Sequence, residues 1–256
     1  MDQHPGFSTR MSNSKPDLHD WPEEGIRAAI SFVGKQLTAG EKLSVVDVGG
    51  HRGETLGAFA KNVKHFSYRS FEPNPASYEA LKQYADTLHS ANRDIDVYNS
   101  AVGAEDGRIE FHVTNATAVA GVLKPIHGLS ERVSTGDHEI AQTIDCELCK
   151  IDSLDVIQNG DITDLLKIDT EGYDLEVMKG AKKALQNGQF KAVLSEVFFV
   201  PYRQDQAFFW DLATFMKHIG YHFVNLYDCR DTTQGRLYTG NGLWLSPQLA
   251  TDSNFL

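Results

Sequence analysis

Most of the chain alternates short apolar runs with segments whose apolar residues recur every three to four positions. That pattern predicts strands alternating with amphipathic helices. Leu43 to Val48 is nearly all apolar, the composition of a strand covered on both faces, and Leu56, Phe59, Ala60 and Val63 then mark the inner side of a helix. Phe66 to Phe71 reads as the second strand. Asn74 follows as an N-cap with Pro75 in the first helical position, and Tyr78, Leu81 and Leu88 form the inward stripe. Ile95 to Val102 is predicted as the third strand. Upstream, Asp20 with Glu23 makes a capping-box pattern, Pro22 suits a first turn, and Ile26, Ile30, Val33 and Leu37 share a helical face. The polar segment Met1 to His19, with Pro5 and Pro16, is expected to fray.

The middle is less regular. Gly107 to Val113 and Gln142 to Ile151 read as strands around a loop, Asn115 to Thr135, which is longer than most connections and is the candidate substrate lid. Alternation resumes with strand Leu165 to Asp169 and helix Tyr173 to Gln186, whose inward residues are Leu175, Met178, Ala181 and Leu185. Strand Ala192 to Val197 and helix Gln206 to His218, stopped by Gly220, come next. Tyr221 to Tyr227 and Gly242 to Ser246 have no helix between them, so one of this last pair must run antiparallel in an otherwise parallel sheet. The expected organisation is an N-terminal extension and helix over 1–40, one α/β domain over 41–248 with an insertion at about 107–151, and a tail over 249–256.

Composition narrows the classes. The 256 residues carry 24 Lys and Arg against 35 Asp and Glu, a net charge of −11, with no basic stripe, which argues against a nucleic-acid partner. No stretch reaches the roughly 18 apolar residues of a membrane span. The first thirty residues hold Asp2, Asp17, Asp20, Glu23 and Glu24 without an apolar run, so no secretory signal is expected. Three cysteines, an odd number, fit a reduced cytoplasmic protein. Cys146 and Cys149, three apart on an extended segment, point to opposite faces and lack a second ligand pair, so neither zinc nor redox chemistry is expected there.

The chemistry concentrates at predicted strand ends. Asp47-Val-Gly49-Gly-His-Arg-Gly53 is a glycine-rich strand-to-helix turn, but a dinucleotide fingerprint would need glycine at His51 or at Arg52. An acid ahead of the turn disfavours a pyrophosphate and suits a cationic ligand such as a sulfonium amino acid; the alternative is a tight turn whose Asp47 caps the next helix. Glu72, ending the second strand, is placed to accept hydrogen bonds from ribose hydroxyls, or is simply a solvated acid. Asn99 to Val102 offers groups for an adenine edge.

With these residues in view, the chain resembles the FkbM-type S-adenosylmethionine-dependent methyltransferases. The matching words are Val46-Asp-Val-Gly-Gly-His-Arg-Gly53, Phe71-Glu-Pro-Asn-Pro75, Ser100-Ala-Val-Gly103, Leu154-Asp155, Leu166-Lys-Ile-Asp-Thr-Glu-Gly172, Lys179-Gly-Ala181 and Leu194-Ser-Glu196. The departures are His51, where the family usually has Asn, and Gly50, where it usually has Ala. The resemblance implies a class I methyltransferase fold, a Rossmann-like, mostly parallel seven-stranded sheet with an antiparallel last strand and helices on both faces. It implies O-methylation of a hydroxyl on a small-molecule acceptor, a sugar or a polyketide-like natural product. It implies S-adenosylmethionine contacts at Asp47, Gly49, Gly50, His51, Gly53, Glu72, Pro73, Ser100 and Ala101.

Asp169 and Glu171 close the fourth parallel strand and face the same way if the strand persists; Glu196 ends the next one. The three acids can hold the acceptor hydroxyl and its proton, making them the candidate catalytic residues. They can instead bind a divalent cation such as Mg²⁺, or Asp169 can merely cap the following helix. No His or Cys joins them, and no metal ligand is assigned. His127, His138 and His222 are alternative bases, a role that lone histidines fill less often than a structural one. The rival readings are a nicotinamide-dependent oxidoreductase, opposed by the failed glycine fingerprint, and a non-catalytic cofactor-binding module.

Overall fold

The structure is a computed structural model that describes residues 23–35, 37, 41–126 and 137–252. The segments Met1 to His19 and Asp20 to Pro22, His127, and the part of the predicted lid over 127–135 lie outside the described residues.

Seven strands form the central sheet: β1 Leu43–Val48, β2 Phe66–Phe71, β3 Arg93–Tyr98, β7 Thr163–Ile168, β8 Phe190–Phe198, β9 His222–Asp231 and β10 Leu237–Leu245. Their order is β3-β2-β1-β7-β8-β10-β9, with β10 antiparallel to both β8 and β9 and the remaining pairings parallel. The last strand is therefore the reversed one, as the missing helix between the two final runs implied. Strand order reverses between β1 and β7, the switch point at which open α/β sheets bind ligands.

Strict alternation along the strands gives the sheet two apolar faces. Val45, Leu165, Ala192, Leu194 and Leu243 pack under α1 Glu24–Gly34, α2 Glu54–Asn62, α3 Pro75–Leu88 and α8 Pro247–Asp252. Val46, Leu166, Ile168, Val193 and Trp244 pack on the other side under α4 Asp155–Gln158, α5 Asp174–Gly180, α6 Lys182–Gln186 and α7 Phe209–Ile219. Leu165 is fully buried, and truncating such a leucine to alanine costs about 2–5 kcal/mol. No helix among the described residues is long and apolar enough to cross a membrane.

Local chemistry sets the boundaries. Asn74 caps α3 through Ala76 N–H, with Pro75 in the first position as predicted, and Gly220 ends α7 at φ 97°. The N-terminus of α1 is capped from a distance: Asp228, in β9, accepts from Glu24 N–H and Gly25 N–H at 3.0 Å each, and Glu23 makes no side-chain cap.

Several expectations need correction. The run Ile95 to Val102 is two strands, because after β3 the chain leaves the main sheet and β4 Ala101–Val102 joins a second one. That sheet has the order β4-β6-β5, with β5 Gly107–Thr114 antiparallel to β6 Ile140–Cys149, so the insertion is a long hairpin. The helix over Tyr173 to Gln186 breaks between α5 and α6 beside Gly180, where a Cβ would lie 1.9 Å from the Gly103 carbonyl oxygen. The tail begins inside α8, whose Leu249 and Ala250 are buried. Cys146 is buried, Cys149 half-buried and Cys229 exposed, all as free thiols.

Candidate active site

The turn after β1 carries Gly49 at φ 87°, His51 at φ 45° and Gly53 at φ 98°. Both Gly49 N–H and Gly50 N–H donate to the Phe71 carbonyl, which pulls the turn over the end of β2. Glycine is obligatory at 49, since a Cβ there would sit 1.9 Å from the Asp169 carbonyl oxygen. This close approach sets the glycine turn directly beside the acids that follow β7.

Beneath the turn lies a row fixed by strand register. Asp47 pairs with Ser70 on one side and with Lys167 on the other, so their side chains share a face. Asp47 Oδ2 accepts from Tyr68 Oη at 2.7 Å and Ser70 Oγ at 3.0 Å, while Oδ1 lies 3.3 Å from Lys167 Nζ. Asp47 is fully buried and stands behind the cavity wall, and Gly53 starts α2 against Tyr84; neither lines the cavity as a cofactor contact would. Asp47 does not cap the next helix either. Lys167, which sequence reasoning passed over, lies 3.5 Å from Asp169, and its Nζ donates to the Gly49 carbonyl. The two flanking carboxylates hold its pKa above the ordinary lysine value despite burial.

A cavity of about 630 Å³ opens at the carboxyl ends of β1, β7 and β8. Its wall includes Gly49, Gly50, His51, Glu72, Pro73 and the Ser100–Ala101 pair, seven predicted cofactor positions brought together from three strand ends. Glu72 is 5% exposed; its Oε1 accepts from Asn74 N–H and its Oε2 from His51 N–H, both at 2.8 Å. Burial outweighs those bonds and pushes the carboxyl up to about 7. Asn99 turns away from the cavity to donate to the carbonyls of Glu72 and Pro73, a bracing role.

The same cavity holds the three predicted acids, whose carboxylate oxygens lie within 4.8 Å of one another. They converge by a route different from the one predicted. β7 stops at Ile168, and Glu171 reaches the cavity because its backbone is left-handed, φ 57°, followed by Gly172 at φ 94°. Asp174 fixes that turn by accepting from Thr170 Oγ1 at 3.0 Å and Gly172 N–H at 3.2 Å. A non-glycine residue in this region carries strain of roughly 1–3 kcal/mol and marks a position worth a functional hypothesis. Asp169 leans on Lys167, so it serves as no helix cap.

Each acid has a different partner. Asp169 pairs with Lys167. Glu171 Oε2 accepts from Arg203 Nη2 at 2.9 Å, yet burial still holds its pKa above the ordinary glutamate value. Burial raises Glu196 well above it, with Asp169, Glu171 and Asp174 adding to the rise. Geometry agrees: the single proton of the Thr239 hydroxyl has two acceptors in reach, Val197 O at 2.8 Å and Glu196 Oε1 at 3.1 Å. Both contacts are satisfied when Glu196 carries a proton and donates it to Thr239 Oγ1. Glu196 Oε2 is buried and accepts no hydrogen bond among the described residues.

A 3₁₀ turn, Thr117–Val119, followed by the segment to Val122, covers the cavity from the predicted lid. His51 links to it, with Nδ1 3.0 Å from Glu54 Oε1 and Nε2 3.1 Å from Thr117 Oγ1. His138 is buried edge-on against Tyr202, and burial lowers its pKa to about 4; His222 opens β9 beside Leu245. Neither is among the cavity-lining residues. Arg203 and Thr239 sit in stretches with no motif, and nothing in the sequence pattern marks them.

A family model described as the methyltransferase FkbM domain matches residues 47–223. Among solved structures, the chain is similar to a methyltransferase FkbM from Methylobacillus flagellatus KT, with TM-score 0.49 and 18% identity over 82% of this chain and 45% of that one. Magnesium protoporphyrin IX methyltransferase from Synechocystis PCC 6803 aligns with TM-score 0.47 and 8% identity over 86% of this chain and 78% of that one. A SAM-dependent methyltransferase from Aquifex aeolicus aligns with TM-score 0.46 and 12% identity over 91% of this chain and 100% of that one. The chain spans less than half the length of the first of these. No curated protein matches the chain.

Proposed function

The chain belongs to the FkbM methyltransferase family, and from that premise we propose that it transfers the methyl group of S-adenosylmethionine to a hydroxyl oxygen of a small-molecule acceptor, a sugar or a polyketide-like natural product. The observation that carries this reading is the shared cavity, lined both by Glu72 and the glycine turn and by the carboxylates of Asp169, Glu171 and Glu196.

The residues fit the cofactor. Glu72 has one oxygen tied to each of two backbone N–H groups and keeps lone pairs for a ribose diol. Phe71, Pro73, Ala101 and Val102 offer apolar wall for a base. When bound, S-adenosylmethionine supplies an electrophilic sulfonium methyl group.

The chain's own task is to orient the acceptor hydroxyl and take its proton. Glu171 is the base: it is anchored by Arg203 and faces the cavity, and burial has moved its pKa toward neutrality, where a general base works best. Glu196, whose pKa burial raises, lines the same cavity and is braced by Thr239. Asp169, paired with Lys167, completes the wall. Arg203 pairs with Glu171, and Lys167 lies between Asp169 and Asp47, so two cations already stand beside the cluster and a hydrogen-bonding role for the acids requires no divalent cation.

Incubation with ¹³C-methyl-labelled S-adenosylmethionine and a panel of methyl glycosides and hydroxylated polyketides tests the proposal by NMR. A new labelled O-methyl resonance, with one S-adenosylhomocysteine formed per methyl transferred, is the expected result. Label appearing on nitrogen or carbon instead would overturn the hydroxyl assignment. Parallel calorimetry with NAD should give no binding heat.

A further inference from the structure

The acid Glu171 and the covering turn meet on one nitrogen. Arg203 is 2% exposed, and its Nη2 donates both to the Val119 carbonyl in the 3₁₀ turn and to Glu171 Oε2. A guanidinium nitrogen carries two hydrogens about 120° apart in one plane, so a single Nη2 serving two acceptors fixes the angle between them. The guanidinium carbon lies 4.6 Å from the centre of the Tyr202 ring, and the backbone N–H of Arg203 donates to Gln206 Oε1. Arg203 does not line the cavity; it acts on Glu171 from behind. At the other end of the same turn Thr117 reaches His51, so three residues bridge the glycine turn and the acid.

Resting on the reading of Glu171 as the base, we propose that Arg203 is a positioning residue for methyl transfer: one guanidinium nitrogen holds the Glu171 carboxylate toward the acceptor and ties it to the Thr117–Val119 turn that covers the cavity. Base and cover are then set by a single side chain. The charged and titratable groups around Glu171 are Asp169 after β7, Glu196 on β8, and Tyr202 and Arg203 in the loop after β8, with neutral His138 behind Tyr202. Arg203 is the cation that favours ionised Glu171; Asp169 opposes it.

Two measurements that need no acceptor test the proposal. Infrared titration of the full chain, with Glu171→Gln subtracted to isolate the Glu171 carboxyl band, reads where that group protonates. Arg203→Met should move that pH upward by about one unit or more, and Arg203→Lys by less. Hydrogen exchange at Val119 and Ala120, whose N–H groups donate to Ala116 O and Thr117 O, should quicken by about tenfold in both variants. If either readout stays at its wild-type value in a folded variant, the proposal is overturned. Should Arg203→Met fail to fold, Arg203→Lys carries both measurements. On an acceptor found with the panel, Arg203→Lys should lower kcat by about tenfold or more while cofactor affinity holds. Normal turnover in Glu171→Gln would sink the base assignment instead, and would leave the infrared and exchange results to decide on Arg203 separately.

Discussion

Glu72→Gln separates the cost of burying a carboxylate from the use the cavity makes of it. Burial lifts this carboxyl from its ordinary 4.5 to about 7, against two backbone N–H groups that pull it down. A rise of about 2.5 pH units, at about 1.4 kcal/mol each, means that holding Glu72 ionised at pH 8 costs the folded state roughly 3 kcal/mol. The folded state binds this proton more tightly than the unfolded one. The associated stability is therefore fully present below about pH 4.5 and is lost as pH rises through 7. Glutamine carries no such cost, but its one carbonyl oxygen serves only one of the N–H groups of His51 and Asn74, stranding the other at about 1–3 kcal/mol. Urea melts of the ligand-free protein should thus show the variant gaining about 3 kcal/mol on wild type between pH 4 and pH 8. Cofactor binding should move oppositely. Loss of a charged acceptor for ribose hydroxyls weakens S-adenosylmethionine by about 1.5–3 kcal/mol, roughly 10- to 150-fold, in calorimetry at pH 8. Wild-type affinity should also improve from pH 6 to 8, because the hydroxyls favour the carboxylate, while the variant stays flat. A Glu72→Gln protein that binds as tightly as wild type at pH 8 would refute the ribose assignment.

Lys167→Met should cost about 3–5 kcal/mol in denaturant unfolding, because it leaves the fully buried Asp47 without its cation; an unchanged midpoint would show that the row beneath the turn is not held by charge. Methyl transfer should survive a chelator undiminished, since Lys167 and Arg203 already stand beside Asp169 and Glu171; activity abolished by chelation and restored by Mg²⁺ would mean that Asp169, Glu171 and Glu196 ligate a cation.

The elements legible in the sequence were those whose causes are local. Apolar runs gave β1, β7 and β8, and Asn74-Pro75 and Gly220 gave helix ends. What the sequence hid lies in contacts between distant segments. Nothing near Gly180 announces that the Gly103 backbone presses on it, so the helix break there was invisible. The cap on α1 comes from Asp228, two hundred residues away. Asp47 was read as facing a ligand, whereas strand register seats it between Ser70 and Lys167. Asp169 and Glu171 were expected to share a side as strand neighbours; a left-handed residue brings Glu171 to the cavity instead. The two departures from the family pattern have local explanations. A Cβ at Gly50 would lie 2.2 Å from Ser70 Oγ, and His51 bridges Glu54 and Thr117 with its two ring nitrogens.

Glu171→Gln gives the most direct test of the central claim, that Glu72 and the glycine turn bind cofactor while Glu171 takes a proton from the acceptor. Glu171 is assigned to the acceptor and not to the cofactor, so calorimetry should find S-adenosylmethionine bound to the variant as tightly as to wild type. Single-turnover transfer of labelled methyl to an accepted hydroxyl should be about 10²–10⁴-fold slower, because the amide keeps size and polarity but cannot take the proton. Transfer at the wild-type rate, with cofactor affinity intact, would contradict the account and leave Asp169 or Glu196 as the base.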